Sequence, residues 1–178
     1  YSKNNHEGQL RKSGRPYFEH CISVAQLLAE WNMDMHTIVG GMLHDCIEDT
    51  NASYDEITKE FGEEVAELVD GVTKLGGVEF DTRKEKQAEN LMKMFLSMAN
   101  DLRVVIIKFA DRLHNMRTIE YLPLIKQRRI AVETRDVYSP LAHRLGMFQI
   151  KSELDDLVLN TLDPDAYKEI EKLLKSTG

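Results

Sequence analysis

The chain has 178 residues, 42% hydrophobic and 30% charged, a balance that fits one well-buried soluble domain, with or without an attached extension. Acidic residues outnumber basic ones by 30 to 23, and the formal charge of −7 excludes a broad basic face for DNA. A small phosphorylated ligand stays open, since a divalent cation and a few local Arg or Lys side chains can reverse the field inside one cleft.

The longest apolar runs, such as Val104-Val105-Ile106-Ile107, are far below bilayer-spanning length, so no membrane partner is expected. Tyr1 to Gln9 are polar and carry no secretory signal, and Cys21 and Cys46 make no disulfide framework. Together they predict a cytoplasmic location.

The helical period dominates the chain. Phe18, Cys21, Val24, Ala25 and Leu28 step by three and four residues and predict a helix over 17–31, with Pro16 in its first turn. Asp34 is placed to cap a helix running through Leu43 and His44 to about Glu48. Ser53-Tyr54-Asp55-Glu56 is a capping-box pattern opening a short helix that Gly62 ends. A helix over Glu63 to Asp70 follows, and residues 71–83, with Gly71, Gly76 and Gly77, read as a loop. The charged stretch Arg83 to Glu89 leads into the next helix. Asn100 or Asp101 then caps a long helix to about Thr118, in which Leu102, Val105, Ile106, Phe109, Leu113 and Met116 keep helical spacing despite a β-branched run. Pro123 and Pro140 punctuate two later segments, and Asp163-Pro164 precedes a terminal amphipathic helix. The expectation is an all-α fold, helix packed on helix.

Three segments carry chemistry. The first is His44-Asp45, followed by Glu48 and Asp49 four residues after each. Imidazole and carboxylate both ligate divalent metals. Neighbours on a helix project about 100° apart, so the pair can share an ion only if it lies between those directions. A lone His-Asp dipeptide is more often a buried hydrogen-bonded pair, but two more carboxylates beside it are costly unless a cation or a proton-transfer task compensates. The second segment is Lys108 to Thr118, where Asp111, Asn115 and Thr118 fall on one stripe suited to a polar ligand. The third is Arg11-Lys12-Ser13-Gly14-Arg15-Pro16-Tyr17-Phe18-Glu19-His20, a basic turn feeding a helix start with His20 one turn inside. Taken alone, that turn would be solvated and His20 an ordinary helix histidine.

Together these motifs resemble the HD-domain phosphohydrolases, and more narrowly the hydrolase domain of RelA/SpoT-type alarmone enzymes. The resemblance extends through Tyr138-Ser139-Pro140-Leu141-Ala142-His143-Arg144-Leu145-Gly146, which looks like the helical linker of the long bifunctional members. It implies an HD-type helical bundle over residues 1–135 and a helical linker over 136–178. The chain is then the N-terminal part of a longer enzyme, with a downstream synthetase domain and, for that enzyme, the ribosome among its partners.

By similarity, His20, His44, Asp45 and Asp111 would hold one manganese ion, and Glu48 and Asp49 would position and deprotonate the attacking water. Arg11, Lys12, Asn115 and Thr118 would contact guanine and ribose, with Ser13 and Tyr17 in support. The implied reaction is removal of the 3′ pyrophosphate from guanosine tetra- or pentaphosphate, yielding GDP or GTP. Two alternatives remain open at this point: an HD phosphohydrolase for another nucleotide, and a nucleotide-sensing module without turnover.

Overall fold

A computed structural model describes residues 1–76 and 100–177, and the chain divides into two compact units, Tyr1–His114 and Asn115–Gly178. Among the described residues there is no strand, only a single antiparallel bridge between Leu10 and Pro16, so the all-α expectation holds. No helix among them is long and apolar enough to cross a membrane.

The first unit contains α1 (Ser2–Asn5), α2 (Phe18–Glu30), α3 (Met35–Leu43), α4 (Cys46–Asp49), α5 (Tyr54–Phe61), α6 (Glu63–Gly76) and most of α7 (Leu102–Arg117). The apolar stripe of α2 is buried as its spacing requires: Cys21, Val24, Ala25 and Leu28 are all inside. Asp34 caps α3 by accepting from the Thr37 amide at 3.1 Å. Glycine lets α3 lie close on α2, for a Cβ at Gly41 would stand 2.2 Å from Cδ1 of the fully buried Leu28.

Three boundaries differ from expectation. The helix predicted from Asp34 to about Glu48 is two helices, α3 and α4, interrupted at His44-Asp45. Gly41 O, which in an unbroken helix would take the Asp45 amide, accepts instead from His44 Nδ1 at 2.8 Å. Asp45 sits at φ −98°, ψ 0°, and α4 restarts from its carbonyl with Asp49 N donating at 2.8 Å. The second difference is that α6 continues past Asp70 through Gly71 to Gly76. Gly71 is a contact point and not a loop residue: a Cβ there would meet Val104 Cγ2 at 2.8 Å. The third is small. Asp101 caps α7 by accepting from the Arg103 amide at 2.8 Å, and the helix stops at Arg117, leaving Thr118 outside it at φ −118°, ψ 21°.

The capping box of α5 is present in both directions, Glu56 N to Ser53 Oγ at 3.2 Å and Ser53 N to Glu56 Oε2 at 3.0 Å, and Gly62 ends the helix at φ 90°. Its apolar face packs in a core of Leu43, Cys46, Ala52, Ile57, Val65, Ala66 and Val69. That core therefore holds the residues on either side of the His44-Asp45 break. The remaining loop residues of 71–83 and the Arg83 to Glu89 stretch lie outside the described residues.

The second unit continues from the end of α7 through a 3-10 turn (Ile119–Tyr121), α8 (Leu124–Glu133), a π turn (Thr134–Tyr138), α9 (Ser139–Arg144), α10 (Phe148–Leu162) and α11 (Pro164–Thr177). Pro123 caps α8, whereas Pro140 sits in the first turn of α9. Pro140 has no N–H to offer the carbonyl four residues back, and the chain widens into the π turn just before it. Ala131, Val137, Leu141, Ala142, Ile150, Leu154 and Val158 form the interior. Arg117 clasps Glu153 through two hydrogen bonds, 2.6 and 2.9 Å.

Candidate metal centre

His20 is in the first turn of α2, His44 and Asp45 are at the break between α3 and α4, and Asp111 is on α7. Packing of these helices brings the four side chains to one point. His20 Nε2 lies 3.3 Å from Asp111 Oδ1 and 3.7 Å from Asp45 Oδ2. His44 Nε2 lies 2.9 Å from Asp45 Oδ2 and 3.8 Å from Asp111 Oδ1. Ligand atoms of His20, His44 and Asp111 all fall within 4.8 Å of one another. An ion taking ligands at about 2.1 Å sets adjacent ligand atoms roughly 3 Å apart and opposite ones about 4.2 Å apart. The spacings here are of that size.

At the break His44 is still helical and Asp45 turns to φ −98°, and the imidazole nitrogen and the carboxylate oxygen stand side by side, 2.9 Å apart.

His44 supplies the test of fit. Its ring is wholly buried, Nδ1 donates to the Gly41 carbonyl, and Nε2 has no hydrogen-bond partner of acceptable geometry despite Asp45 at 2.9 Å. A buried, inward-facing nitrogen with its other edge pinned to a carbonyl is the usual posture of a metal-ligating histidine. Two imidazoles and two carboxylates make a mixed nitrogen and oxygen set suited to a divalent cation, and the residues fit one.

Electrostatics agree. Burial lowers the His20 pKa and keeps that ring neutral. Burial also opposes protonation of His44, but the carboxylates of Asp45 and Asp111 outweigh it and push the imidazole up to about 10. Burial opposes ionisation of Asp45 as well, yet the His44 charge holds it down at about 2. At Asp111 the same penalty is outweighed by the Lys108 ammonium, 3.5 Å away, and by His20 and His44, leaving the carboxyl well below its usual range. Two ionised carboxylates thus lie on buried ground, balanced by the Lys108 ammonium and by a protonated His44 whose Nε2 proton a bound divalent cation would displace.

Around this cluster, Tyr17 OH donates to Asp45 Oδ2 at 2.7 Å and to Asp49 Oδ2 at 3.1 Å. The Tyr17 ring stacks on buried His6 with centroids 4.9 Å apart, and Arg11 lies over it, 5.7 Å from its centroid. Gln9 ties the same region down, its Oε1 accepting from His6 Nδ1 at 2.9 Å and its Nε2 donating to the Asp49 carbonyl at 2.9 Å. Glu48 is exposed, yet partial desolvation of its carboxyl raises its pKa, with Asp45, Asp49 and Asp111 adding to the rise and Lys108 opposing it.

Lys12 is exposed, and Ser13 Oγ accepts from the Arg15 amide at 3.4 Å inside a turn closed by Arg11 N to Arg15 O at 2.9 Å. Asn115 is on the last turn of α7 and Thr118 just beyond it, both in the second unit. Cys21 and Cys46, each next to a ligand in sequence, are buried free thiols, and burial pushes them up to about 12 and about 11, which suits packing and not ligation. Two residues with a part in the site were given no role from sequence: Lys108, beside Asp111, and His114, whose Nδ1 lies 2.7 Å from His20 Nδ1. The i, i+3 spacing of Lys108 and Asp111 was a usable signal for the first; nothing local marked the second.

A helical unit whose buried His, His-Asp and Asp side chains meet at one point defines a candidate divalent-metal centre. The HD-domain family profile matches residues 1–148, and the chain belongs to that family. It is 50% identical over 175 residues to the bifunctional (p)ppGpp synthase/hydrolase SpoT of Escherichia coli strain K12, covering 98% of this chain and 25% of that protein. It is 52% identical over 170 residues to a GTP pyrophosphokinase of Myxococcus xanthus, covering 94% of this chain and 22% of that one. The chain thus spans about a quarter of the length of these relatives. Among solved structures, a metazoan SpoT orthologue described as hydrolysing ppGpp is similar at a TM-score of 0.68 and 28% identity, over 88% of this chain and 89% of that one.

Proposed function

We propose that this chain is a manganese-dependent guanosine-3′,5′-bis(diphosphate) 3′-pyrophosphohydrolase that converts guanosine tetra- or pentaphosphate to GDP or GTP and pyrophosphate. The observation that carries the reading is the convergence of His20, His44, Asp45 and Asp111 with Glu48 and Asp49 one turn further on. The relatives bear both hydrolase and synthase names, so their names alone do not choose between the activities. The buried candidate ligand set supports hydrolysis, because hydrolysis needs a water made acidic and a base beside it.

When bound, the divalent cation lowers the pKa of water and offsets phosphate charge. The protein's own groups do the rest. His20, His44, Asp45 and Asp111 fix the point of reaction. Glu48, its pKa raised by burial, accepts the proton of the attacking water together with Asp49. Tyr17 shares its one hydroxyl hydrogen between Asp45, at 2.7 Å, and Asp49, at 3.1 Å, and so keeps the two carboxylates near each other. The oxygen of water joins the departing pyrophosphate, and the ribose 3′ oxygen leaves with a proton. Arg11, Lys12, Asn115 and Thr118 hold guanine and ribose, with Ser13 shaping the turn. Residues 136–178 lead towards a following synthetase domain.

The test is release of pyrophosphate from guanosine tetraphosphate by the purified chain with manganese. His44→Ala and Asp111→Ala should abolish release and manganese binding together; an active His44→Ala chain refutes the ligand assignment. Arg11→Ala should raise KM, and an unchanged KM would point to a different nucleotide.

A further inference from the structure

Both candidate imidazole ligands face the cluster through Nε2, so each needs its proton on Nδ1 to leave a lone pair for a cation. At His44 the backbone enforces this, because the Gly41 carbonyl can only accept. At His20 the neighbour of Nδ1 is a second imidazole. His20 Nδ1 lies 2.7 Å from Nδ1 of His114, with the rings 4.8 Å apart and tilted by 46°. Between two ring nitrogens at that distance one must donate and the other accept. If His114 donates, the His20 proton moves to Nε2, where it points at Asp111 and Asp45 and occupies the position a metal needs. If His114 accepts, His20 Nε2 is a free base aimed at the cluster. Only the second arrangement is compatible with His20 as a ligand.

We infer that His114 is a positioning residue for the metal centre, fixing the tautomer and ring orientation of His20 by accepting its Nδ1–H. This rests on the metal reading above. It adds a residue that touches neither water nor substrate in that scheme. His114 is four residues before Thr118 and three after Asp111, so one face of α7 supplies both a ligand and the brace for another ligand on α2.

The experiment measures manganese dissociation constants of the purified chain, following free manganese by its magnetic resonance signal. His114→Leu removes the acceptor and should weaken binding by about 10- to 100-fold. His114→Asn places an amide oxygen near the Nδ1 position and should recover most of that loss. Unchanged binding by His114→Leu beside tight binding by the unaltered chain overturns this inference alone, and so does an Asn variant as weak as Leu. Failure of the unaltered chain to bind manganese overturns the metal reading and this inference with it. Because the Leu variant could lose its fold, nitrogen-15 resonances of the unaltered chain loaded with a diamagnetic divalent ion give a second readout. His20 should carry its proton on Nδ1 and His114 on Nε2; the reverse at His114 refutes the proposal.

Discussion

Tyr17 and Asp45 are joined by a 2.7 Å hydrogen bond in which the phenol donates to the same carboxylate oxygen that faces both His20 and His44. Burial, followed by the Asp45 charge, raises the Tyr17 pKa and keeps the hydroxyl protonated as a donor. Tyr17→Phe should leave the ring in place over His6 and under Arg11 while freeing Asp45 and Asp49 to reorient. Turnover should fall by about 10- to 100-fold, the range for lost partners of metal ligands, with helical content unchanged. Steady-state pyrophosphate release beside circular dichroism checks this, and full activity of the Phe variant would remove Tyr17 from the machinery.

Ser53 tests the fold without touching the site. Its hydroxyl accepts from the Glu56 amide in the capping box of α5, on the exposed side of the helix. Ser53→Ala should cost about 1 kcal/mol. Urea unfolding should show the loss with an unchanged slope, and manganese affinity should be unaltered.

Ile57 should be far less forgiving. It is fully buried in the core that includes Leu43 and Cys46, the residues bracketing His44-Asp45. Ile57→Ala should cost about 2–5 kcal/mol and weaken manganese binding as well, because the cavity opens beneath the ligand doublet. A calorimetric melt with and without manganese separates the two effects.

Acid should act through Arg103, which reaches Asp101 at 2.7 Å and Glu64 at 2.5 Å and so joins the starts of α7 and α6. The hydrogen bond from Arg103 is the main cause holding the Asp101 pKa below 3.8. A carboxyl lowered on folding adds stability that is complete above its unfolded pKa and lost as the pH falls through the native value. The stability difference between the unaltered chain and Arg103→Gln should therefore be full above pH 3.8 and shrink below it. Urea midpoints measured across that range decide it; a constant difference would mean that the carboxyl contributes nothing.

Much of the candidate site was legible because the proposed ligation restricts residue type. His44-Asp45 beside Glu48 and Asp49 has few structural excuses, and the helical period placed His20 and Asp111 on helices that the fold confirms. The capping box at Ser53 was equally plain, since its hydrogen bonds are local. What escaped depends on contacts distant in sequence. Gly71 read as a loop residue, yet its role is to let α6 approach Val104. The break at His44 follows from a ring nitrogen taking a backbone carbonyl, a choice that hydrophobic spacing does not record. His114 reaches His20 across 94 positions, and no pattern in its neighbours signals that partner.

The four inward-facing candidate ligand atoms come from segments far apart in the chain, so a single ion held there would cross-link α2, the α3–α4 break and α7. Whatever binds only the folded form raises stability by mass action, about 2.7 kcal/mol when free ion stands at 100 times its dissociation constant. Chelation should thus soften the first unit as well as silence it, making the protein's lifetime in the cell a function of metal supply.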